Sequence, residues 1–352
     1  MLKVKFKNSK KLLRVLSTVE NILKKNKTEN KLQYIKLEKV NNKLYIIARN
    51  PYMRLGYYVE DVISIEGDSA LYDYKTLISL LNVLEDEIEI NNNEIKNKKC
   101  NYTIPSLDTE GYPEDIFPQI VNRKELNTEN FINGLNGVFC ATAKNEYESV
   151  LTGVYIDGNK LVACDSNRLF IKQLETELDK VILSRNMVNE LLRLPFEEKI
   201  YMSIFGNNVI FEDDNLYIAS NFIADKYPKY QQLLSKEISN EITFKNKELE
   251  KALSLMMPVI DQFKNNCKFD ISQDDMRVYV VNQGKTAETI IPIDVKNELE
   301  DEIINVMFNI NYLIDMLKVN GEDITMQIHK TNQSGYTFKS GNAEQYIMPM
   351  FN

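Results

Sequence analysis

The sequence predicts an α+β protein built from three copies of one domain, and its recurring helical patterns are the main reason. An asparagine followed by an amphipathic run occurs at Asn8, Asn127 and Asn246, at intervals of 119 residues. Because asparagine is a favoured N-cap, each run predicts the first helix of a copy. These helices are expected over residues 9–26, 128–143 and 247–262.

A second helical pattern follows in each copy, beginning at Asp73, Ser184 and Asn309. Each begins with a capping residue and continues with apolar residues at helical spacing. Alternating segments such as KLYIIA and MRVYVVNQ predict strands, and the Gly-Asn pairs in IDGNK and IFGNNV predict hairpin turns. Each copy therefore contains two helices packed on antiparallel sheets. The predicted domains are residues 1–120, 121–240 and 241–352, with linkers near 118–124 and 235–241.

Composition restricts the class of protein. No apolar run approaches the roughly 18 residues needed to span a bilayer, and the basic N-terminus lacks the apolar core of a signal peptide. Four widely spaced cysteines without a CxxC pair predict reduced, mostly buried thiols and a cytoplasmic protein. The single histidine, His329, lies in an alternating strand pattern and predicts a structural or surface role, since histidine-based metal sites need several such ligands.

Charge is distributed unevenly along the chain. The net charge is −8, yet the first 40 residues hold 12 basic and 3 acidic residues. On the first helix, the face opposite the apolar stripe carries Lys11, Arg14 and Lys25 and no acid. Such a face is either a solvated surface or a surface that faces phosphates, and this helix alone does not decide between them. Further bases on or beside the other helices are Lys75, Arg185, Arg193, Lys245, Lys247, Lys251 and Lys318.

Six motifs on this triple repeat resemble those of one family. They are GYPEDIFP at 111–118, ESVLTGVYID at 148–157, LVACDSNRLFI at 161–171, DKYPKYQQLL at 225–234, FNINYLIDML at 308–317 and YIMPMFN at 346–352. Their order and spacing are similar to those of the bacterial DNA polymerase III β subunit, the β sliding clamp. The resemblance covers the whole chain.

The resemblance implies a head-to-tail homodimer whose six domains close a ring around duplex DNA. Such a ring is not an enzyme and needs no cofactor or metal. It binds DNA without sequence readout and tethers the DNA polymerase III catalytic subunit, the clamp loader and other clamp-motif proteins. These partners insert a short peptide into an apolar pocket between the central and C-terminal domains.

The resemblance also assigns residues to surfaces. The partner-peptide pocket would comprise Leu151, Cys164, Ser166, Asn167, Arg168, Leu169, Pro228, Gln232, Leu233, Asn309, Tyr312, Gly335, Tyr346, Met348, Pro349 and Met350. The DNA-facing residues would be Lys11, Arg14, Lys24, Lys25, Lys75, Arg185, Arg193, Lys247 and Lys251. The dimer interface would join Tyr102 and Ile104 to Val259 and Ile260.

The pocket departs from the family pattern at several positions. Cys164 replaces a threonine, Ser166 and Asn167 replace Gly-His, Gln231 and Gln232 replace bases, and Phe351-Asn352 replace a basic-aliphatic terminus. These changes predict an altered or weaker peptide preference.

Two other classes remain open at this stage. A carboxylate-dependent metal nuclease would use residues 85–89 (EDEIE) and Asp213-Asp214, which lie beside turn signals. A non-ring adaptor would use three peptide-binding domains.

Overall fold

Helices and strands follow one order three times along the chain, which a computed structural model describes for most of its length. The described residues are 2–24, 31–84, 87–113, 122–144, 150–234, 237–260, 265–299, 302–330 and 335–351. Their contacts divide the chain into two units. The first contains Met1–Thr128 and Arg193–Phe222, and the second contains Glu129–Leu192 and Ile223–Asn352. The division into domains at residues 120 and 240 stays a prediction.

Seven α-helices lie in the described residues, and none is long and apolar enough to cross a membrane. They are α1 Ser9–Lys24, α2 Tyr74–Val83, α3 Thr128–Phe139, α4 Arg185–Leu191, α5 Gln231–Leu234, α6 Asn246–Met256 and α7 Ile310–Leu317. Short 3-10 turns occupy Lys31–Gln33 and Met257–Val259.

The strands of the first unit form two antiparallel sheets. They are β1 Lys3–Phe6, β2 Tyr34–Val40, β3 Lys43–Arg49, β4 Met53–Tyr58, β5 Val62–Glu66, β6 Ser69–Asp73, β7 Ile88–Asn91, β8 Glu94–Lys96, β9 Asn101–Thr103, β10 Ser106–Leu107, β11 Lys124–Asn127, β16 Lys199–Phe205, β17 Asn208–Glu212 and β18 Leu216–Asn221. The sheet orders are β5-β1-β7-β8-β9 and β10-β6-β2-β3-β4-β18-β17-β16-β11.

The strands of the second unit also form two antiparallel sheets. They are β12 Val154–Ile156, β13 Lys160–Cys164, β14 Arg168–Gln173, β15 Val181–Leu183, β19 Ile238–Lys245, β20 Asn266–Ile271, β21 Asp275–Asn282, β22 Lys285–Pro292, β23 Asp294–Val295, β24 Ile304–Asn309, β25 Asp323–His329, β26 Tyr336–Ser340 and β27 Ala343–Ile347. The sheet orders are β15-β12-β13-β14-β27-β26-β25-β19-β23 and β22-β21-β20-β24.

The pairing confirms three copies of one α+β fold. Each copy contains two meanders, meaning three consecutive antiparallel strands: β2-β3-β4 and β7-β8-β9, β12-β13-β14 and β16-β17-β18, β20-β21-β22 and β25-β26-β27. In every copy the strand before the first helix pairs with the first strand of the second meander, as in β1 with β7, β11 with β16 and β19 with β25.

Two strand junctions join successive copies. At the first junction β4 pairs with β18, and at the second junction β14 pairs with β27. Both junctions obey one rule: the last strand of a first meander meets the last strand of the next copy's second meander. Each junction produces a nine-stranded sheet.

The predicted caps of the second helices are confirmed. The side chains of Asp73, Ser184 and Asn309 accept hydrogen bonds from backbone N–H groups in the first turns of α2, α4 and α7. Both Gly-Asn hairpins are also confirmed, with Gly158 and Gly206 in the left-handed region that glycine adopts without strain.

The prediction for Asn246 is wrong, because this residue begins α6 instead of preceding it. Its side-chain amide donates to the backbone oxygens of Leu317, the last residue of α7, and of Asn320 and Gly321, which follow the helix. Ser9 and Thr128, the first residues of α1 and α3, likewise donate to carbonyl oxygens that follow the second helix of their copy. In each copy one side chain at the start of the first helix thus donates to the backbone at or after the end of the second helix.

Other sequence expectations need correction. Helix α3 ends at Phe139 instead of residue 143, and α6 gives way to a 3-10 turn at Met257, one residue before a proline that removes a helical donor. Residues 238–241 belong to β19 and do not form a linker. Cys100 is exposed, whereas Cys164 and Cys267 are buried as expected. His329 is buried in β25, where Nε2 lies 3.0 Å from Thr337 Oγ1.

Candidate peptide-binding and nucleic-acid interfaces

A cluster of apolar side chains lies at the second strand junction. Residues at alternate positions of β13, β14 and β27 point to the same face of the sheet, which brings their side chains together. We call this group, with the residues packed on it, the tyrosine cluster. Its buried members are Val162, Cys164, Leu169, Ile171, Tyr230 and Tyr346, and its partly buried members are Leu151, Tyr155, Tyr227, Leu234 and Met348.

The partly open side of the cluster is aromatic. The rings of Tyr155 and Tyr227 stack with centroids 4.8 Å apart, and Tyr230 meets Tyr227 edge-on at 6.5 Å. Tyr227 Oη lies 3.3 Å from Cys164 Sγ. Burial, followed by the neighbouring thiol, raises the pKa of Tyr227 well above its ordinary value, so the hydroxyl stays neutral. The result is a rigid, uncharged aromatic surface, which suits contact with apolar side chains.

Asp157 fixes the rim of this surface. Its carboxylate accepts hydrogen bonds from Tyr230 Oη at 2.8 Å and Gln231 Nε2 at 3.2 Å, and it forms an ion pair with Lys180 Nζ at 2.7 Å. Burial alone would raise the pKa of Asp157, but the hydrogen bonds from Lys180 and Tyr230 outweigh it and lower the pKa. Asp157 therefore holds Tyr230 and α5 against the sheet.

Arg168 connects the sheet to α7. Its side chain is only 5% exposed, and its Nη1 lies 2.8 Å from Asp315 Oδ2 while Nε lies 3.2 Å from Asp165 Oδ2. The guanidinium also donates to the backbone oxygen of Cys140 and lies 4.4 Å from the ring centroid of Tyr312. These contacts engage all three guanidinium nitrogens. Arg168 therefore links β14 to α7 and to the end of α3 and does not point into solvent.

Tyr346 fills the floor of the site. It is 2% exposed, and its hydroxyl accepts a hydrogen bond from the Gly335 backbone N–H at 2.6 Å. A Cβ at residue 335 would lie 2.5 Å from Tyr346 Cζ, so only glycine leaves room for the ring.

The structure brings together part of the predicted pocket. Leu151, Cys164, Leu169, Tyr346 and Met348 meet in the tyrosine cluster. The exposed residues Pro228, Gln232 and Leu233 lie in or just before α5, next to Tyr230, and Ser166 and Asn167 form the exposed turn between β13 and β14. Asn167 O accepts a hydrogen bond from Met348 N at 2.8 Å, which attaches this turn to the C-terminal segment.

The remaining predicted pocket residues have other surroundings. Asn309 caps α7, and Tyr312 lies beneath Arg168. Pro349 and Met350 line a cleft of about 570 Å³ beside β24, together with Met307 and Tyr336. Tyr155, Asp157, Tyr227 and Tyr230 were missed as site residues, although all four lie in the motifs at 148–157 and 225–234.

The predicted DNA-facing bases differ in how they are engaged. Lys11 and Lys24 form ion pairs with Asp61 and Glu20, and Arg185 donates to Thr142 and lies over Phe139. Arg193 donates to Thr18 O at 2.8 Å, which places its side chain beside α1. Lys25 lies outside the described residues. The others, Arg14, Lys75, Lys247 and Lys251, are exposed.

The predicted interface residues lie near two strands that end their sheets within the described residues. Tyr102 is on β9, which ends its five-stranded sheet, and Ile104 follows it. Val259 belongs to the 3-10 turn that packs against β21 and β22, and Ile260 follows that turn. Strand β22 ends the four-stranded sheet and exposes Ile290.

The carboxylates of the nuclease alternative do not form a metal site in the described residues. Glu87 and Glu89 form ion pairs with Lys5 and Lys96, and Asp213 accepts hydrogen bonds from backbone N–H groups of its own turn. Residues 85 and 86 lie outside the described residues. Across the described ranges, no group of three or more metal-ligating side chains is placed to hold an ion.

Comparison with known proteins identifies the fold and then the family. The fold is that of the DNA sliding clamps: the crystal structure of the Pseudomonas aeruginosa DNA polymerase sliding clamp matches with a TM-score of 0.87 at 17% identity, covering 100% of both chains. Family models for the DNA polymerase III beta subunit match residues 125–229 as its central domain and 231–351 as its C-terminal domain. The chain belongs to this family of beta sliding clamps.

Relatives called beta sliding clamp support this assignment. The Synechococcus elongatus protein is 26% identical over 250 residues, which span 65% of this chain and 64% of that relative. The Helicobacter pylori J99 protein is 22% identical over 348 residues, spanning 92% of this chain and 90% of that relative.

Proposed function

We propose that two copies of this chain close head to tail into a ring that encircles duplex DNA. The observation behind the proposal is the strand-junction rule. Two of the three first meanders pair through their last strands, β4 and β14, with the second meander of the next copy of the fold. The third first meander ends in β22, and the one unmatched second meander ends in β9.

Pairing β22 of one protomer with β9 of its partner would apply the same rule between subunits. The four-stranded and five-stranded sheets would then form a nine-stranded sheet, as at the two junctions within the chain. It would also satisfy the unpaired backbone groups of two open edges. Tyr102 lies on β9, and Val259 and Ile260 lie beside β22, which supports their placement at this interface.

The ring acts as a processivity factor and has no catalytic residues of its own. Encircled DNA is held by topology, so the contacts with phosphates need be neither strong nor sequence-specific. The bases assigned to the DNA surface face the duplex, and the ring works in the cytoplasm. Its partners are the DNA polymerase III catalytic subunit, the clamp loader and other proteins that carry a clamp-binding peptide.

The tyrosine cluster receives the partner peptide. It combines a rigid aromatic surface with Met348, whose flexible thioether adapts to different side chains. Because Tyr346 fills the floor, the surface is shallow, and it accepts an apolar side chain laid across Tyr155 and Tyr227.

A topological assay tests the ring. The protein is loaded with a bacterial clamp loader onto nicked circular DNA and passed over a sizing column at high salt. We expect co-elution that is lost when the DNA is linearised, and a solution mass of twice 40.9 kDa. A monomeric mass, or equal retention on linear DNA, would contradict the proposal.

A peptide titration tests the site separately. The C-terminal peptide of this organism's DNA polymerase III catalytic subunit is labelled and titrated with the protein. We expect Met348→Glu to weaken binding at least tenfold, because the substitution puts a charge into the tyrosine cluster. Ile303→Glu is the control, since Ile303 is an exposed apolar residue that lines the cleft beside β24, and the affinity of this variant should stay within twofold of wild type. A larger loss of peptide affinity in the control variant than in Met348→Glu would show that the peptide binds in that cleft instead.

A further inference from the structure

The helix pairs of the three copies have the same topology but different charges. Helices α1 and α2 carry five basic residues and one acidic residue. Helices α3 and α4 carry one basic and two acidic residues, and α6 and α7 carry two basic and three acidic residues. The first pair therefore has a net charge of +4, whereas each of the other two has −1.

The surroundings of the first pair increase this difference. Lys10, Arg14 and Lys75 are exposed and have no carboxylate partner among the described residues. Arg193 comes from the chain after α4, and its hydrogen bond to Thr18 O places a further guanidinium beside α1. We call these four residues the N-terminal basic patch.

Among the described residues, the third pair has no comparable patch. Its two exposed lysines, Lys247 and Lys251, share α6 with Glu248 and Glu250. The lysines that flank the pair, Lys245 and Lys318, form ion pairs with Asp323 and Asp315. Phosphates near this pair would meet both signs of charge at similar distances, so the net attraction would be small.

We propose that the N-terminal basic patch makes the principal phosphate contacts of the clamp, while the other helix pairs contribute little. The inference rests on the proposed function. Each phosphate neutralised by a base releases a condensed counterion, so binding and its salt dependence follow the exposed bases Lys10, Arg14 and Lys75. In a two-fold ring the patch occurs twice. The duplex is then held at two places instead of being surrounded by a uniformly basic lining.

Matched charge-removal variants test this proposal in the full-length protein. One variant carries Lys10→Gln, Arg14→Gln and Lys75→Gln, and the control carries Lys247→Gln and Lys251→Gln. All five side chains are exposed, so we expect both variants to fold, which circular dichroism verifies. Binding to a labelled linear duplex of about 30 base pairs is measured by fluorescence anisotropy. The KCl concentration is varied from about 25 to about 200 mM, because the affinity of phosphate contacts falls steeply over this range.

We expect the triple variant to bind more than about tenfold more weakly at low salt and to lose about 2.7 units of salt slope for each patch that contacts the duplex, at roughly 0.9 for each of its three bases. The control should stay within about twofold of wild type, since its lysines lie among acids. Equal losses in both variants, or a larger loss in the control, would overturn the inference.

Retention of the wild-type protein on nicked circular DNA distinguishes this result from failure of the proposed function. If the wild type is retained only on circular DNA but the two variants lose linear-duplex affinity equally, the ring stands and the patch assignment is overturned. If the wild type is not retained, the ring itself fails.

Discussion

The two strand junctions within the chain share one pairing rule but are stabilised in different ways. At the first junction Tyr217 packs over Gly56, its partner in the register, where a Cβ would lie 2.1 Å from Tyr217 Cε1. At the second junction the buried Arg168 joins β14 to α7, and the tyrosine cluster covers one face. At the first junction this close packing adds to the pairing of β4 with β18. The second also holds a charged network beneath a partly open apolar surface.

If the tyrosine cluster receives the partner peptide as proposed, the second junction serves both as a structural connection and as a binding surface. Close packing, as around Gly56, leaves no room for a ligand. At the second junction the ion pairs of the buried Arg168 hold β14 against α7. The aromatic surface of the tyrosine cluster does not take part in these ion pairs, so it stays available for contact with a partner.

The largest effect is expected from removing Arg168. In Arg168→Ala the partly buried carboxylates of Asp315 and Asp165 lose their cation, and breaking a buried pair in this way costs about 3–5 kcal/mol. Urea unfolding measures the loss, and hydrogen exchange should accelerate in β14 and β27 while β4 and β18 stay protected.

Arg277→Ala is the matched control for that variant. Arg277 forms ion pairs with Asp270 and Glu288 on an exposed face, and such pairs contribute little. A similar loss in both variants would show that Arg168 has no special role at the second junction.

A smaller effect is expected at the first junction. In Gly56→Ala the new methyl group must displace the buried ring of Tyr217, and overpacking of this kind costs about 1–3 kcal/mol. Calorimetry measures the destabilisation, and hydrogen exchange should now accelerate in β4 and β18. Peptide binding should be unchanged, because the tyrosine cluster lies at the other junction. The control Gly321→Ala meets only Ser340 Oγ at 3.2 Å and should change little.

The smallest effect is expected on the free energy of unfolding when Asp157 is replaced, and it should depend on pH. The folded-state pKa of Asp157 is lowered, so its stabilising contribution is complete above the ordinary carboxyl pKa of about 4 and is lost as pH falls through the folded-state value. We expect Asp157→Asn to cost about 1 kcal/mol at pH 7 and progressively less below pH 4. Urea unfolding of both proteins between pH 3 and pH 7 measures this difference. A constant difference would mean that ionisation of Asp157 does not stabilise the cluster.

Local patterns predicted much of the fold because their causes are local. The caps Asp73, Ser184 and Asn309 bond to backbone groups two or three residues away, so a short window of sequence contains the whole interaction. Asn246 has the same residue type but bonds to carbonyl groups more than 70 residues later, and for this reason its prediction failed.

The site was only partly predictable for the same reason. Resemblance located Leu169, Tyr346 and Met348, which meet in the cluster. It could not show that Arg168 would bind Asp315, 147 residues away, or that Tyr346 would close the floor. These contacts depend on the pairing of β14 with β27, and neither segment encodes that pairing alone.

The two open edges, β9 and β22, belong to different sheets, and this has a consequence for mixtures of subunits. In the proposed head-to-tail dimer each protomer would contribute one edge of each kind, so a protomer with a damaged β22 would keep an intact β9. Such a protomer would still capture a normal partner through one contact while leaving the other contact open. Damage to a single edge would therefore act as a dominant-negative change, trapping normal subunits in broken circles that cannot hold a closed loop of DNA.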